Sequence, residues 1–254
     1  MNITVLFKLV PDLVEELEID DSGKALDLTW ARLIINEFDD HAIEQAILVK
    51  ERSEAQVTVI APEADGADEV LFTAAAKGAD KLIKLVGDFE ESMNNHALAR
   101  SVAKVLAPLQ PDLILTGVQA HNDLDGAVGP LLAEYLGIPY VGYVSGVNVS
   151  NGKAIARKEY PGGLIAEMEI SLPAVLGVQS SEQPPRYVAV SKVRQAMKTA
   201  EIEELEVGEL EPSGAVDVSR MFQPEVSERA TMIKGSEEEI TDQLVVILKE
   251  LGVL

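Results

Sequence analysis

The 254-residue sequence contains no cysteine. That absence excludes thiolate nucleophiles, iron–sulfur ligation, thiol zinc sites and a disulfide scaffold. Basic residues are also scarce, because 21 Lys and Arg stand against 43 Asp and Glu, for a formal net charge of −22. Such a surplus of negative charge repels phosphate backbones and anionic lipid headgroups. Nucleic acid and membrane surfaces are therefore not expected as partners.

Long apolar runs are missing as well, and none approaches the roughly 20 residues that a transmembrane helix needs. The amino terminus lacks the basic region that precedes the apolar one in a signal peptide. We therefore expect a cytoplasmic protein without a membrane span. The composition, 47% hydrophobic and 25% charged residues, is typical of a globular chain large enough to bury a core.

Short apolar runs alternate with amphipathic, helix-length segments through the first half of the chain, a pattern typical of βαβ units. The predicted helices are residues 40–52, 66–78 and 94–107, with Gly78 as a C-terminal cap. The predicted strands are residues 3–10, 57–61, 82–86, 113–116 and 140–143. Because buried parallel strands need both faces covered, we predict an α/β fold, a Rossmann-like three-layer sandwich around a parallel sheet.

After residue 144 the apolar pattern changes to period two, in residues 145–149, 153–158 and 165–172. Asn151-Gly152 separates two of these segments, and Asn-Gly between apolar strands is a strong hairpin signal. We therefore predict a β-meander. Pro184-Pro185 then ends regular structure, which divides the chain into residues 1–183 and an extended arm of residues 184–254. We expect the arm, strongly acidic from residue 201 onward, to end in an amphipathic helix docked on a partner or on the body.

Ligands of doubly wound sheets bind at the carboxyl ends of the strands, near the switch point of the strand order. Lys8-Leu9-Val10-Pro11-Asp12 follows the first strand and contains no Gly-x-Gly-x-x-Gly, Walker or pyrophosphatase motif. A standard Rossmann dinucleotide site, a P-loop nucleotidase and ATP-driven adenylation are therefore disfavoured.

The best candidate for an anion site is the segment after the fourth strand, residues 117–130. Gly126 and Gly129 allow the backbone to approach a ligand closely, and the free N–H groups at the start of the next helix bind phosphate without a basic side chain. An alternative interpretation stays open, in which Asp125 caps the helix and the glycines form a tight turn.

The sequence shows no catalytic motif, neither Gly-x-Ser-x-Gly nor His-Glu-x-x-His, and we predict no catalytic or metal-binding residue. His41 and His96 are interpreted as surface or capping residues. His121 lies in the candidate loop, where a place beside a ligand is an open alternative. The adjacent carboxylates Asp20-Asp21 and Asp39-Asp40 are more typical of caps and turns than of an acid–base pair.

Five stretches of the sequence, in their order and spacing, resemble the beta subunit of electron transfer flavoproteins over essentially the whole chain. They are Lys8-Leu9-Val10-Pro11-Asp12; Asn36-Glu37-Phe38-Asp39 with Ala42-Ile43-Glu44-Gln45-Ala46; Gly117-Val118-Gln119-Ala120 running to Gly129; Arg157–Leu164 with Leu172–Val175; and Arg186-Tyr187 followed by Lys192–Lys198.

The resemblance implies a heterodimer with an alpha subunit that holds most of an FAD, and a nucleotide within this subunit. That nucleotide is AMP in the simple electron carriers and a second FAD in the bifurcating, NADH-oxidising members. By position, the resemblance assigns the nucleotide site to Leu6, Asn36, Glu37, Phe38, Asp39, Pro62, Ala120, His121, Asn122, Asp123, Leu124, Asp125, Gly126, Ala127, Val128, Gly129, Pro130 and Leu131. It places the hairpin near Tyr143 and the segment after Val178 toward the alpha subunit and its flavin, and a flavin dehydrogenase near Arg186 to Lys198.

The sequence departs from the AMP-binding members of that family. They usually have Asn-Gln-Thr-Gly where this chain has Gly126-Ala127-Val128-Gly129, and Asn-Pro-Phe where it has Asn36-Glu37-Phe38. The ending Val128-Gly129-Pro130, the Val-Pro-Asp after strand one and the acidic arm resemble the bifurcating branch more closely, which favours FAD. The dehydrogenase anchor usually reads Leu-Pro-Asn-Ile, whereas this chain has Val190-Ser191-Lys192-Val193.

The function implied is the relay of electrons between flavin dehydrogenases and an acceptor. An alternative is a stand-alone nucleotide-binding regulator of the universal-stress type, although such proteins usually end soon after the fifth strand and carry a glycine-rich phosphate loop. A sugar-nucleotide or kinase-like enzyme is a third hypothesis, for which the expected loops show no acidic metal site and no phosphate-binding lysine.

Overall fold

The computed structural model of the protein describes residues 1–87, 89, 94–124, 126–208, 216, 218–224, 230 and 232–254. It divides into two compact units, Met1–Met221 and Phe222–Leu254. The strands of the first unit are β1 (Asn2–Leu6), β2 (Leu9–Pro11), β3 (Leu33–Ile35), β4 (Gln56–Pro62), β5 (Lys81–Val86), β6 (Leu113–Gly117), β7 (Tyr140–Ser150), β8 (Lys153–Tyr160), β9 (Leu164–Ser171), β10 (Ala174–Val178) and β11 (Ile202–Glu206). Its helices are α1 (Glu37–Arg52), α2 (Ala67–Lys77), α3 (Asn95–Leu109), α4 (Val128–Leu136) and α5 (Val190–Thr199).

The main sheet of the described residues has nine strands in the order β11-β5-β4-β1-β6-β10-β7-β8-β9. Neighbouring strands from β11 to β7 run parallel, whereas β8 and β9 pair antiparallel with β7 and with each other. The sheet is therefore a parallel α/β core extended by a meander, as predicted.

Helices cover both faces of the parallel part. Successive side chains of each strand point to opposite faces, so one strand contributes to two buried clusters. Ile3 and Val5 of β1 share a buried cluster with Ile43 and Ile47 of α1. Leu6 lies in a second buried cluster with apolar residues of α3 and α4. The two clusters confirm the predicted three-layer sandwich.

The predicted first strand, residues 3–10, is wrong in its second half. β1 ends at Leu6, and the chain then leaves the main sheet to form β2, which pairs antiparallel with β3 in a separate two-stranded sheet. The apolar run continues across the break because both pieces bury side chains. The apolar periodicity of the sequence could not show where the chain leaves the main sheet for the two-stranded one.

Four elements were not predicted from the pattern: β3, β10, α5 and β11. β10 is a fully buried strand inserted between β6 and β7. β11 lies within the stretch that the sequence analysis interpreted as an arm, and it pairs parallel with β5. Its acidic residues face lysines of β5, since Lys81 binds Glu203 at 2.5 Å and Lys84 binds Glu204 at 3.0 Å. The pairing of β11 with β5 thus includes ion pairs between the two strands, which an apolar periodicity in the sequence does not reveal.

The meander has the predicted turn. Asn151 and Gly152 both have positive φ, 52° and 73°, as a type I′ hairpin requires. β7 is longer than predicted because residues 140–143 and 145–149 form one continuous strand, whose register shifts near Tyr143. Gly78 follows α2 at the C-cap position, also as predicted.

The second unit contains helix α6 (Glu237–Glu250), which begins with a capping box between Ser236 and Glu239. Its apolar residues include Ile240, Leu244, Val245 and Leu248. Within the described part of the chain, every helix falls short of the length and apolar character that crossing a membrane would require.

Candidate functional site

The strand order reverses beside β1. From β1 the chain builds β4 and β5 on one side and then returns to place β6 on the other. The carboxyl ends of β1 and β6 therefore form the topological switch point, where ligands of open α/β sheets bind. The loops after these two strands diverge there and leave a cleft between them.

A small cavity, part of it open to solvent, lies at this point. Its walls come from the ends of β1 and β6, the start of α1 and the loop that leads into α4. The lining residues are Leu6, Phe7, Lys8, Asn36, Asp39, Leu98, Thr116, Gly117, Gln119, Ala120, Asp123 and Val128.

Asp39 joins three walls of the cavity. Its Oδ2 accepts a hydrogen bond of 3.1 Å from the backbone N–H of Lys8, and its Oδ1 accepts one of 2.6 Å from the N–H of Gly117. Burial raises the pKa of this carboxyl to about 6, against the opposing effect of those two N–H groups. The side chain therefore positions the ends of β1 and β6 relative to the first turn of α1.

Asn36 occupies the N-cap position of α1 but makes no side-chain capping hydrogen bond within the described residues. Its Nδ2 instead donates to the carbonyl of Gln119 at 2.9 Å. An asparagine that would ordinarily cap a helix thus stabilises the loop after β6.

Asp123 organises that loop. Its Oδ2 accepts from the N–H of Ala120 at 2.7 Å, while its Oδ1 lies 2.6 Å from Lys8 Nζ and 2.7 Å from Asn95 Nδ2. Asn95 Nδ2 also lies 2.7 Å from the carbonyl oxygen of Gly126, just before α4. The Lys8–Asp123 ion pair is mostly buried, with side-chain exposures of 17% and 10%.

Helix α4 begins at the edge of the cavity. Ala127 occupies its N-cap position, and no side chain of the described residues caps it. Asp125, the cap in the alternative interpretation, lies outside the described residues. As far as the described residues show, the first turn presents N–H groups and the positive end of the helix dipole, the combination that binds anions.

Two buried side-chain polar atoms of the described residues lack a hydrogen-bond partner, Thr116 Oγ1 and Ser145 Oγ. Thr116 is 2% exposed and lines the cavity. A Cβ at Gly129, in the first turn of α4, would lie 2.7 Å from Thr116 Oγ1 and 3.0 Å from Tyr140 Cε2. Glycine thus permits α4 to approach β6 closely, and a buried hydroxyl without a partner faces the helix start.

The structure brings together part of the predicted nucleotide site. Six of its residues line the cavity: Leu6, Asn36, Asp39, Ala120, Asp123 and Val128. Six others are exposed and do not line it: Glu37, His121, Asn122, Leu124, Gly126 and Pro130. The remaining described members also do not line the cavity; they are Phe38, Pro62, Ala127, Gly129 and Leu131.

The structure also adds residues to the site. Lys8 and Thr116 stand at or next to the carboxyl ends of β1 and β6, so the switch-point rule pointed to their positions without identifying the side chains. Asn95, at the start of α3, had no such signal. No phosphate-binding lysine was expected from the loops of the sequence, whereas Lys8 lines this cavity with its Nζ 2.6 Å from Asp123 Oδ1.

A second polar assembly attaches the segment after β10 to α1. Arg186 binds the buried Glu44 at 2.8 Å and Glu51 at 2.6 Å. Arg52 binds Glu182 at 2.8 Å and holds the pKa of that carboxyl below its ordinary value. The segment leads into α5, which contains most of the region predicted to dock a dehydrogenase, Arg186 to Lys198. Tyr187 in this region is 89% exposed.

An aromatic–cationic cluster lies on the meander. Lys158 Nζ is 5.5 Å from the ring centroid of Tyr143 and 5.6 Å from that of Tyr160, as in cation–π pairs. Tyr143 has φ +60°, a strained conformation for a residue with a side chain. Both tyrosines remain about half exposed.

No group of three or more His, Asp or Glu side chains in the described part of the chain is placed to hold a metal ion. His41 lies on α1 with its Nδ1 2.8 Å from Ser181 Oγ. The site thus combines the switch point of a doubly wound sheet, a helix start that no described side chain caps and the mostly buried ammonium group of Lys8.

Comparisons with known proteins agree on one family. The family model of the electron transfer flavoprotein domain matches residues 29–210. The electron transfer flavoprotein subunit beta of Methylophilus methylotrophus is 33% identical over 98% of both chains. The subunit beta of Syntrophomonas wolfei is 36% identical over 78% of both chains, and that of Bacillus subtilis 28% over 98% of both.

The class defined by the fold is thus a Rossmann-like α/β protein. More particularly, the chain belongs to the electron transfer flavoprotein family, with the beta subunits as its relatives. Membership supports a role in electron transport as part of a flavoprotein, and a beta subunit implies an alpha subunit as partner.

Proposed function

We propose that this chain is the nucleotide-binding subunit of a heterodimeric electron transfer flavoprotein. It holds an adenine nucleotide at the switch point and relays electrons between flavin dehydrogenases and an acceptor. Family membership favours this function over a stand-alone regulator. The chain's part is to bind and orient, while the flavin, when bound, supplies the redox chemistry.

The observation that carries the nucleotide proposal is the start of α4 beside Thr116, where no side chain of the described residues caps the helix. A buried hydroxyl without a protein partner is costly, on the order of 1–3 kcal/mol, and a ligand oxygen would remove that cost. The N–H groups of Val128 and Gly129 would hold a phosphate, with Lys8 nearby. Donors of this kind fit an anionic ligand and need little basic surface, which suits a chain of net charge −22.

We propose FAD as the nucleotide, with AMP as the alternative. The N-cap Ala127 and the first helical residues, Val128 and Gly129, offer backbone amides and no polar side chains. A pyrophosphate bound by main-chain amides requires no such side chains. Asn36 and Asp39, which also line the cavity, would contact the remainder of the nucleotide.

We further propose that the alpha subunit and its flavin contact the face of the meander with Tyr143, Lys158 and Tyr160, and the segment after Val178. The strain at Tyr143 and the exposure of both rings support this choice, since strained backbone clusters at functional sites. The dehydrogenase would dock near Arg186 to Lys198, and α6 would contact the alpha subunit.

The test is a mass spectrum of the nucleotides that acid releases from the purified complex of the chain with its alpha subunit. Two FAD molecules per heterodimer would support FAD in the beta site, and one FAD with one AMP would support the alternative. A complex with one FAD and no second nucleotide would contradict nucleotide binding by this chain.

A further inference from the structure

Lys8 is unusual in this protein because its ammonium group lies inside the switch-point cavity. Its side chain is 17% exposed, and its Nζ lies 2.6 Å from Asp123 Oδ1 and 3.4 Å from Asn95 Oδ1. A mostly buried ammonium needs a counter-ion, since desolvation without one is costly. Asp123 provides that counter-ion here.

The position of the pair relates it to the anion site. Asn95 contacts both Asp123 and the carbonyl of Gly126, the residue before the N-cap of α4. Lys8, Thr116 and Val128 line one cavity. The residues that carry the ammonium group and the unpartnered hydroxyl therefore border the same space as the first turn of α4.

A phosphate bound in that space would alter the Lys8–Asp123 ion pair. Next to the carboxylate of Asp123 the phosphate would be repelled, while Lys8 would attract it. Asp123 can release Lys8 and still hold the loop, because its other oxygen, Oδ2, accepts from Ala120. The exchange keeps the ammonium group neutralised before and after binding.

We propose that Lys8 is the phosphate-recognising residue of this site and that Asp123 is its exchangeable counter-ion. The ligand phosphate takes the place of the Asp123 carboxylate on Lys8 Nζ. Lys8 thereby selects phosphorylated adenine nucleotides over the nucleoside. This inference rests on the proposed nucleotide site. Within that site, Lys8 is the group that distinguishes a phosphorylated nucleotide from the nucleoside.

The experiment measures calorimetric affinities of AMP, FAD and adenosine for the full chain freed of bound nucleotide. For Lys8→Met we expect AMP affinity to fall at least tenfold while adenosine affinity stays within twofold. Lys84→Met is the matched control, because Lys84 is likewise a mostly buried, ion-paired lysine, with a side chain 13% exposed, but lies outside the cavity. It should leave both affinities unchanged.

Two further variants test the exchange. Asp123→Asn keeps an acceptor for Ala120 and removes the competing charge, so AMP should bind severalfold more tightly. In Lys8→Met with Asp123→Asn, AMP affinity should recover partly from the Lys8→Met value, since the repelling carboxylate is gone.

Equal losses of AMP and adenosine affinity in Lys8→Met would overturn the proposal, because Lys8 would then only shape the site. Weaker AMP binding in Asp123→Asn would overturn the exchange of counter-ions. If the unmodified chain binds adenosine, AMP and FAD equally poorly, the nucleotide function itself fails, which is a separate result.

Discussion

The backbone N–H of Gly117 donates a hydrogen bond of 2.6 Å to Oδ1 of Asp39, across 78 positions of the chain. This contact ties the carboxyl end of β6 to the first turn of α1. It is possible because residue 117 is glycine. A Cβ there would lie 2.5 Å from Asp39 Oδ1 and 2.8 Å from Phe38 Cβ.

Gly117→Ala should therefore lower stability and nucleotide binding together. The methyl group would displace Asp39 from the N–H groups of residues 8 and 117, and we expect a loss of about 2–3 kcal/mol from overpacking. Chemical denaturation would measure it. Gly163→Ala is the control, because that turn glycine has open space and φ +76°, so only backbone strain of about 1 kcal/mol is at stake. Equal losses would contradict the close packing at Gly117.

Asp39 should make stability depend on pH. Its pKa in the folded protein is raised to about 6, above the ordinary value near 4, so the folded state binds its proton more tightly than the unfolded state. The resulting stabilisation is full below about pH 4 and is lost as the pH rises through 6. Relative to the unmodified chain, Asp39→Asn should gain on the order of 2 kcal/mol between pH 4 and 7.

Denaturation at several pH values would measure that gain as a difference between the two proteins. Glu37→Gln, an exposed change of charge in the same turn, is the control and should show a much smaller pH-dependent difference. A constant difference between Asp39→Asn and the unmodified chain across this range would show that burial does not raise the pKa of Asp39.

Thr116→Val should stabilise the nucleotide-free protein and weaken the ligand. Valine has a similar shape and removes a buried hydroxyl without a partner, so a gain of about 1 kcal/mol is expected. Nucleotide affinity should fall severalfold because a donor is lost. Ser145→Ala removes the other unpartnered hydroxyl outside the cavity and should leave affinity unchanged. If Thr116→Val bound the nucleotide with unchanged affinity, Thr116 would not be a ligand-binding residue of this site.

Arg186→Met should destabilise the chain by about 2 kcal/mol, because it leaves Glu44, which is 2% exposed, without its charged partner. Adding Glu44→Gln should restore part of this loss, since the unpaired charge disappears. Lys153→Met breaks the exposed pair with Glu169 and should cost less than about 1 kcal/mol. Melting curves of the unmodified chain and the three variants would measure these changes in stability. Equal losses of stability in Arg186→Met and Lys153→Met would show that burial does not strengthen the pair with Glu44.

Removal of residues 236–254 should weaken assembly with the alpha subunit. The apolar residues of α6 recur at helical spacing, at Ile240, Leu244, Val245, Leu248 and, just beyond the helix, Leu251, and a partner groove would bury such a stripe. Copurification and a measured dissociation constant would test this. An affinity within twofold of that of the full chain would exclude α6 from the interface.

Much of the fold was predictable from local pattern. The alternation of apolar runs and helical segments determined the α/β class, and Asn151-Gly152 determined a hairpin because both residues tolerate positive φ. Strand β10 was missed even though its neighbourhood was recognised, since a short apolar run next to Pro173 has no periodicity that separates a strand from a loop. β11 was missed because three of its five residues are glutamates.

By itself, then, the sequence determined the layers of the sheet, the loop before α4 and the absence of thiol chemistry, because each depends on residue types close together in the chain. Only the tertiary structure brought Lys8 to Asp123, 115 positions away, and Arg186 to Glu44, 142 positions away. Such pairs depend on how strands are ordered and how helices pack on them. No spacing within a single segment encodes which distant charge will neutralise a buried one.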